Sequence, residues 1–183
     1  MTRPVLVIAS SNTGKLAEFR ELLQEALPHG AADVRAQPAG VIVEETGADF
    51  LANASLKAVA VARLTDAWAL ADDSGLCVDA LDDRPGIHSA RYAPSNAQRM
   101  ERLLGELAGR QDRSARFITA LALARPDGSI ALTSQGVSHG HILEAPIGTG
   151  GFGYDPLFWV PAAGLSFAQM TPAQKRRHGH RGR

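Results

Sequence analysis

The residues best suited to chemistry lie in short, separated blocks. Thr149-Gly150-Gly151-Phe152-Gly153-Tyr154-Asp155-Pro156 is glycine-rich and carries an aromatic pair and a carboxylate. Glycine lets backbone approach a ligand closely. Phe152 offers a flat stacking surface, and the Asp155 carboxylate accepts hydrogen bonds from N–H groups on a ring edge. The segment therefore reads as a ring-recognition loop, or more plainly as a tight turn with Phe152 in the core. Ser10-Ser11-Asn12-Thr13-Gly14-Lys15 joins a strand to a helix. Unpartnered N–H groups at a helix start, with a lysine beside them, form a phosphate site. It is not a P-loop: Ala9 stands where that motif needs glycine, and Leu16 stands where it needs a magnesium-binding hydroxyl.

Two acidic blocks accompany them. Glu44-Glu45-Thr46-Gly47 precedes a helix, and Asp72-Asp73-Ser74-Gly75 follows a strand. Hard carboxylate oxygens at loop positions suit Mg²⁺ alongside substrate phosphates. Each also has an ordinary reading, as a helix start and as a turn. Asn53 and Lys57 are four apart and share one helix face, from which Lys57 is able to reach phosphate. Lys175, Arg176, Arg177, His178, His180, Arg181 and Arg183 make a basic tail, either a disordered run or a source of groups that stack on and hydrogen-bond a purine.

Elements must position these blocks. Val5 to Ala9 reads as a buried strand, and Lys15 to Leu27 as a helix with Leu16, Phe19, Leu22, Leu23 and Ala26 on one face. Val41 to Val43 is a short strand candidate. Asp49 to Leu64 is a second helix. Trp68 to Ala71 is a strand running into Asp72-Asp73-Ser74-Gly75. Asn96 to Leu107 is a third helix. Phe117 to Ala124 and Ile130 to Ser134 form a hairpin around Pro126-Asp127-Gly128. Leu157 to Val160 is a strand, and Thr171-Pro172 caps a last helical turn. This order predicts an α/β fold with a β-rich second half.

The chain has 183 residues, which suits one domain of two lobes. Its 45% hydrophobic content supplies a sizeable core. The 19 basic and 19 acidic side chains cancel, so neither a nucleic-acid polymer nor a membrane surface is an expected partner. The lone Cys77 lies in an apolar stretch, fits a reducing cytoplasm, and is expected to be an inert core thiol. Val5 to Ala9 is too short for a leader's apolar segment, and no apolar run reaches membrane length.

In combination, Ser10 to Lys15, Glu44 to Gly47, Asn53 with Lys57, Asp72-Asp73-Ser74-Gly75-Leu76, Pro85-Gly86-Ile87 followed by Ser89 to Tyr92, Gly150 to Pro156, and His180-Arg181-Gly182 resemble the inosine/xanthosine triphosphate pyrophosphatase family, in order over nearly the whole chain. The resemblance implies an elongated α/β fold with a mixed central sheet, flanking helices and two lobes around a substrate cleft, usually as a homodimer. It implies Mg²⁺-dependent cleavage between the α and β phosphates, with ITP, dITP and XTP preferred over ATP and GTP. Ser10, Ser11, Asn12, Thr13, Gly14 and Lys15 would hold the triphosphate. Glu44 and Asp73 would carry the metal, and Asp73 would take the proton from water. Lys57 would neutralise phosphate and Ser74 would touch substrate. Phe152, Gly153, Tyr154 and Asp155 would grip the base, with Lys175, His180 and Arg181 closing over it.

The chain departs from the family pattern in places. Gly179 replaces the usual serine before His180-Arg181, Asp82-Asp83 stands where glycines are common, and a further C-terminal helix is usual after this motif. A non-hydrolysing purine nucleotide-binding module is the alternative reading, and a pyrimidine nucleotide pyrophosphatase a third. The retained Glu44, Lys57 and Asp73 argue for catalysis.

Overall fold

Strand β1 (Val5–Ile8) is a run of aliphatic residues, two of them fully covered. Asn12 ends the loop that follows by capping helix α1 (Thr13–Ala26), its side chain accepting from the Lys15 N–H. The computed structural model describes residues 3–28 and 30–183. After α1 come β2 (Asp33–Ala36), α2 (Phe50–Thr65) and β3 (Trp68–Val78). Then follow α3 (Asn96–Glu106), β4 (Ser114–Ala124), β5 (Ile130–Ile142), β6 (Phe158–Val160), β7 (Leu165–Ser166) and α4 (Pro172–His178). The strands form one mixed sheet in the order β2-β1-β3-β4-β5-β6-β7. β1 runs parallel to both β2 and β3, whereas β5, β6 and β7 pair antiparallel. The α/β class is as the sequence predicts.

The chain divides into two compact units. One holds the residues up to Asp73 together with Ala120–Gln135, and the other holds Ser74–Thr119 and Gly136–Arg183. The divisions fall inside β3, β4 and β5. In the first unit, α2 packs on β1 through a face of small residues, with Ala54, Ala58, Val61 and Ala62 fully buried. Small side chains let a helix lie close to a sheet. In the second unit, Leu76, Val78, Leu103, Leu107, Phe117, Ile142, Leu157, Phe158 and Phe167 share one core. Phe117 meets Phe158 edge to face at 4.8 Å and stacks on Phe167 at 5.6 Å, both within the favourable range for aromatic pairs.

One local expectation and two of the plain alternatives need correction. Val41 to Val43 is not a strand; Ile42 is 89% exposed and pairs with no neighbour in the sheet. The strand lies earlier, as β2, whose half-exposed Asp-Val-Arg-Ala pattern follows from its place at the sheet edge. Asp72 to Gly75 is not a turn: β3 continues unbroken to Val78. Turn propensity is overridden there because both carboxylates find partners on the helices packed against the strand, Lys15 for Asp72 and Asn53 with Lys57 for Asp73. The tail is ordered rather than loose. Thr171 and Gln174 form a capping box at the start of α4, and Pro172 occupies the first helical position.

Candidate active site

β1 and β3 are parallel neighbours, with Ile8 beside Leu70, and the Ala9 N–H donates to the Leu70 carbonyl at 2.8 Å. The loop Ser10 to Lys15 therefore leaves the carboxyl end of β1 next to the stretch of β3 that carries Asp72 and Asp73. Ligands in open α/β sheets bind beyond the carboxyl ends of parallel strands. The loop is held by its own side chains. Ser10 Oγ accepts from the Asn12 N–H at 3.2 Å, and Asn12 Oδ1 accepts from the Lys15 N–H at 3.1 Å. Ser11 and Thr13 are exposed.

Consecutive residues of a strand face opposite sides, and the two aspartates meet different helices. Asp72 forms an ion pair with Lys15 of α1, Nζ to Oδ2 at 3.0 Å. Asp73 faces α2. Its Oδ2 accepts from Asn53 Nδ2 at 3.1 Å, and its Oδ1 lies 3.4 Å from Lys57 Nζ. Lys57 also bonds Glu45 Oε1 at 2.7 Å. The fully buried Asn53 uses its Oδ1 to accept from the Gly47 N–H at 2.8 Å. One asparagine thus joins the acidic loop, α2 and β3. A Cβ on Gly47 would sit 2.7 Å from Asn53 Oδ1 and 2.8 Å from the Asn53 nitrogen, so this approach requires glycine.

Two lysines and three carboxylates are thereby interleaved within the first unit. Burial raises the Asp73 carboxyl above the ordinary aspartate range; Lys57, Lys15 and Asn53 pull against that, and Glu45 reinforces it. The result is a carboxylate more basic than a free one, held by a cation that is itself shared. Glu44 is exposed beside Glu45, and it is Glu45 that the structure brings onto Lys57. Among the described residues, no group of three or more His, Cys, Asp or Glu is placed to hold a metal ion. The oxygen donors present suit a cation that takes the rest of its ligands from phosphate and water, as Mg²⁺ does.

The second unit holds the residues that the sequence reads as a ring-recognition loop. Asp155 is buried. Its Oδ2 accepts from the Phe152 N–H at 2.8 Å and from Lys175 Nζ at 2.6 Å. This oxygen therefore braces the loop and fixes the lysine. A Cβ on Gly151, whose φ is +71°, would overlap that same oxygen, so the brace depends on glycine. Tyr154 is buried too, its hydroxyl donating to the Ser89 carbonyl at 3.0 Å. Gly153 completes the turn with φ +62°. Phe152 is only half-buried, with Lys175 Nζ 5.0 Å and the Arg181 guanidinium carbon 5.6 Å from its ring centre. Arg181 Nη2 donates to Ser74 Oγ at 3.1 Å. His180 is 4% exposed and stacks on Phe117 at 4.9 Å, which anchors the turn carrying Arg181. Cys77 is buried, and burial pushes its thiol up to about 11, consistent with an inert core group.

The model of the Ham1 family matches residues 6–183. The chain belongs to the Ham1 family. A dITP/XTP pyrophosphatase of Synechococcus sp. (strain CC9311) is 57% identical over 183 residues, covering 100% of this chain and 87% of the relative. One of Parasynechococcus marenigrum (strain WH8102) is 54% identical over 178 residues, 97% of this chain and 89% of the relative. Among solved structures, a HAM1 protein from Coxiella burnetii superposes with a TM-score of 0.85 at 39% identity, covering 98% of this chain and 93% of its own. The Staphylococcus aureus Ham1 protein gives 0.82 at 37%, covering 97% and 92%.

Features unlike the usual Ham1 pattern have local explanations. The Gly179 N–H closes α4 by donating to the Lys175 carbonyl at 2.7 Å, and a Cβ there would overlap that carbonyl oxygen. Asp82 and Asp83 both adopt left-handed backbone, which is where glycine is favoured. Asp83 is held by both carboxylate oxygens to Arg116 Nη2 at 2.8 Å, and Arg116 also bonds Asp79. Two contributors were not legible beforehand. Thr119 hides in an apolar strand, and Ser89 gave no signal beyond its motif.

Proposed function

We propose that this protein hydrolyses the triphosphates of non-standard purine nucleosides, ITP, dITP and XTP, to the monophosphate and pyrophosphate. The observation that carries this is Lys57 gripping both Glu45 and Asp73 while Lys15, at the phosphate-type loop, grips the adjacent Asp72. Lysines bound to carboxylates can exchange them for phosphate oxygens, which frees the carboxylates for a cation or a water. The curated relatives named dITP/XTP pyrophosphatase support the same reading.

In this account Ser10 to Lys15 receive the triphosphate through loop and helix N–H groups. Lys57 offsets phosphate charge. Asp73, with Glu44 and Glu45 nearby in the acidic loop, would hold Mg²⁺. When bound, the ion supplies charge neutralisation on the phosphate oxygens. Asp73, made more basic by burial, orients a water and accepts its proton as the oxygen bonds the α phosphorus. The bond from that phosphorus to the bridging oxygen breaks, and pyrophosphate leaves. Positioning and charge stabilisation do most of this work.

Phe152 stacks on the base, Lys175 and Arg181 flank it, and Ser74 contacts the nucleotide. Inosine and xanthosine carry a carbonyl at purine position six, and Arg181 is a donor suited to it. Adenine carries an amine there and would leave a buried donor unmatched, at about 1–3 kcal/mol. We take the whole chain as one catalytic domain acting as a homodimer in the cytoplasm. The reducing compartment rests on its single buried thiol, and the dimer on the family resemblance. Sedimentation at twice the chain mass supports the dimer; the monomer mass refutes it.

The test is to incubate the protein with ITP, XTP, GTP and dUTP in the presence of Mg²⁺ and identify products by phosphorus NMR. Pyrophosphate from ITP and XTP, with little from GTP and dUTP, is the expected result. Orthophosphate as first product, or ITP binding without turnover, overturns the proposal.

A further inference from the structure

We propose that Thr119 is a positioning residue for base selection, acting on Arg181 through Ser74. Thr119 is 1% exposed and lies on β4, in a run where its neighbours Phe117 and Ala120 belong to buried packing. A hydroxyl buried there costs free energy unless it is bonded. Its Oγ1 is 2.8 Å from Ser74 Oγ on β3. Ser74 Oγ in turn accepts from Arg181 Nη2 at 3.1 Å. Arg181 has its guanidinium carbon 5.6 Å from the centre of the Phe152 ring. The chain of contacts therefore runs from a buried strand position, through one serine, to the cation beside the stacking ring.

Serine has three staggered rotamers, and only some place Oγ where Arg181 can reach it. Whichever hydroxyl donates, the Thr119 contact favours one of them. His180 stacks on Phe117 and so anchors the turn that carries Arg181, while the bond to Ser74 bears on the Arg181 side chain itself. Thr119 is thus built into the scaffold, touches neither base nor phosphate in this account, and acts through Ser74 on the aim of Arg181. The inference rests on the assignment of Arg181 to the purine made above.

The test uses the full chain and two substitutions. Thr119→Val keeps the volume and removes the hydroxyl, and Thr119→Ser keeps the hydroxyl. With ITP and Mg²⁺, Thr119→Val is expected to raise KM about tenfold with kcat within about twofold, since contacts remote from the scissile bond act on binding. Preference for ITP over ATP should fall in parallel, and Thr119→Ser should restore both. Nitrogen NMR of the Arg181 guanidinium in nucleotide-free protein is the independent readout: slow rotation about Nε–Cζ in wild type and Thr119→Ser, fast in Thr119→Val. Unchanged KM and unchanged rotation in Thr119→Val overturn the proposal, as does a loss confined to kcat. If Thr119→Val fails to fold, Thr119→Ala is measured in the same way. If wild type releases no pyrophosphate from ITP, the functional reading falls, while the NMR comparison still decides the positioning role.

Discussion

In the proposed mechanism Asp73 carries the most chemistry of any single residue. Its carboxyl is raised first by burial, against the pull of Lys57. A carboxyl whose folded value lies above its unfolded one stabilises the fold fully below the unfolded value. That contribution is lost as pH rises through the folded value. At neutral pH the ionised group is therefore a local cost. Asp73→Asn, which still accepts from Asn53, is expected to lower kcat by at least about 10²-fold, the usual scale for losing a general base. In metal-free buffer the same variant should melt above wild type near neutral pH and lose that advantage as pH falls toward the aspartate range. Calorimetry across pH checks the second point, and a lower melting temperature near neutral pH would contradict it. The sequence showed Asp73 plainly, because the block around it is distinctive. It did not show that Asn53 bonds it, since a helix-face asparagine looks like any solvated residue until β3 is placed against it.

At the scale of elements, the acidic loop is strapped to α2 by the Gly47 N–H and Asn53. A methyl at Gly47 would meet Ala52 Cβ at 2.7 Å and the backbone of Asn53, neither of which yields easily. Gly47→Ala should displace the loop and take Glu45 off Lys57. About a tenfold or larger loss in kcat/KM is expected with the fold retained, as small misplacements at such sites are costly. Helix α3 supplies a different test. Glu106 accepts from the Tyr92 hydroxyl at 2.6 Å and from Arg102 Nε at 2.8 Å. Partial burial alone would raise its carboxyl, but these bonds and Arg84 win and hold it below the glutamate range. Such a group adds stability above its unfolded value and loses it as pH falls through the folded one. Glu106→Gln should therefore lower the melting temperature near neutral pH, with the difference shrinking in acid. A difference that grows in acid would contradict this assignment. Helices α1, α2 and α3 were legible because their apolar residues recur at helical spacing. β2 was not, because an edge strand with one covered face leaves little hydrophobic pattern. The turn reading of Asp72 to Gly75 failed for a related reason: its partners Lys15 and Lys57 arrive from distant sequence.

Across the whole molecule, balanced charge is deployed locally. The 19 cations and 19 anions cancel, yet lysines and carboxylates concentrate around β3. That distribution suits a small anionic ligand. No helix among the described residues is long and apolar enough to cross a membrane. The α/β class and the chemistry-bearing blocks were readable from sequence because each block keeps its residue types together. The second unit's bracing was not, since the sequence offers Asp155 as a base-edge acceptor and does not show that its Oδ2 holds Lys175 and the Phe152 N–H. The measurement closest to the central claim is hydrolysis of ITP in water enriched in heavy oxygen. Attack at the α phosphorus places the label in inosine monophosphate and none in pyrophosphate. Label in pyrophosphate or orthophosphate, or no hydrolysis at all, would contradict the account.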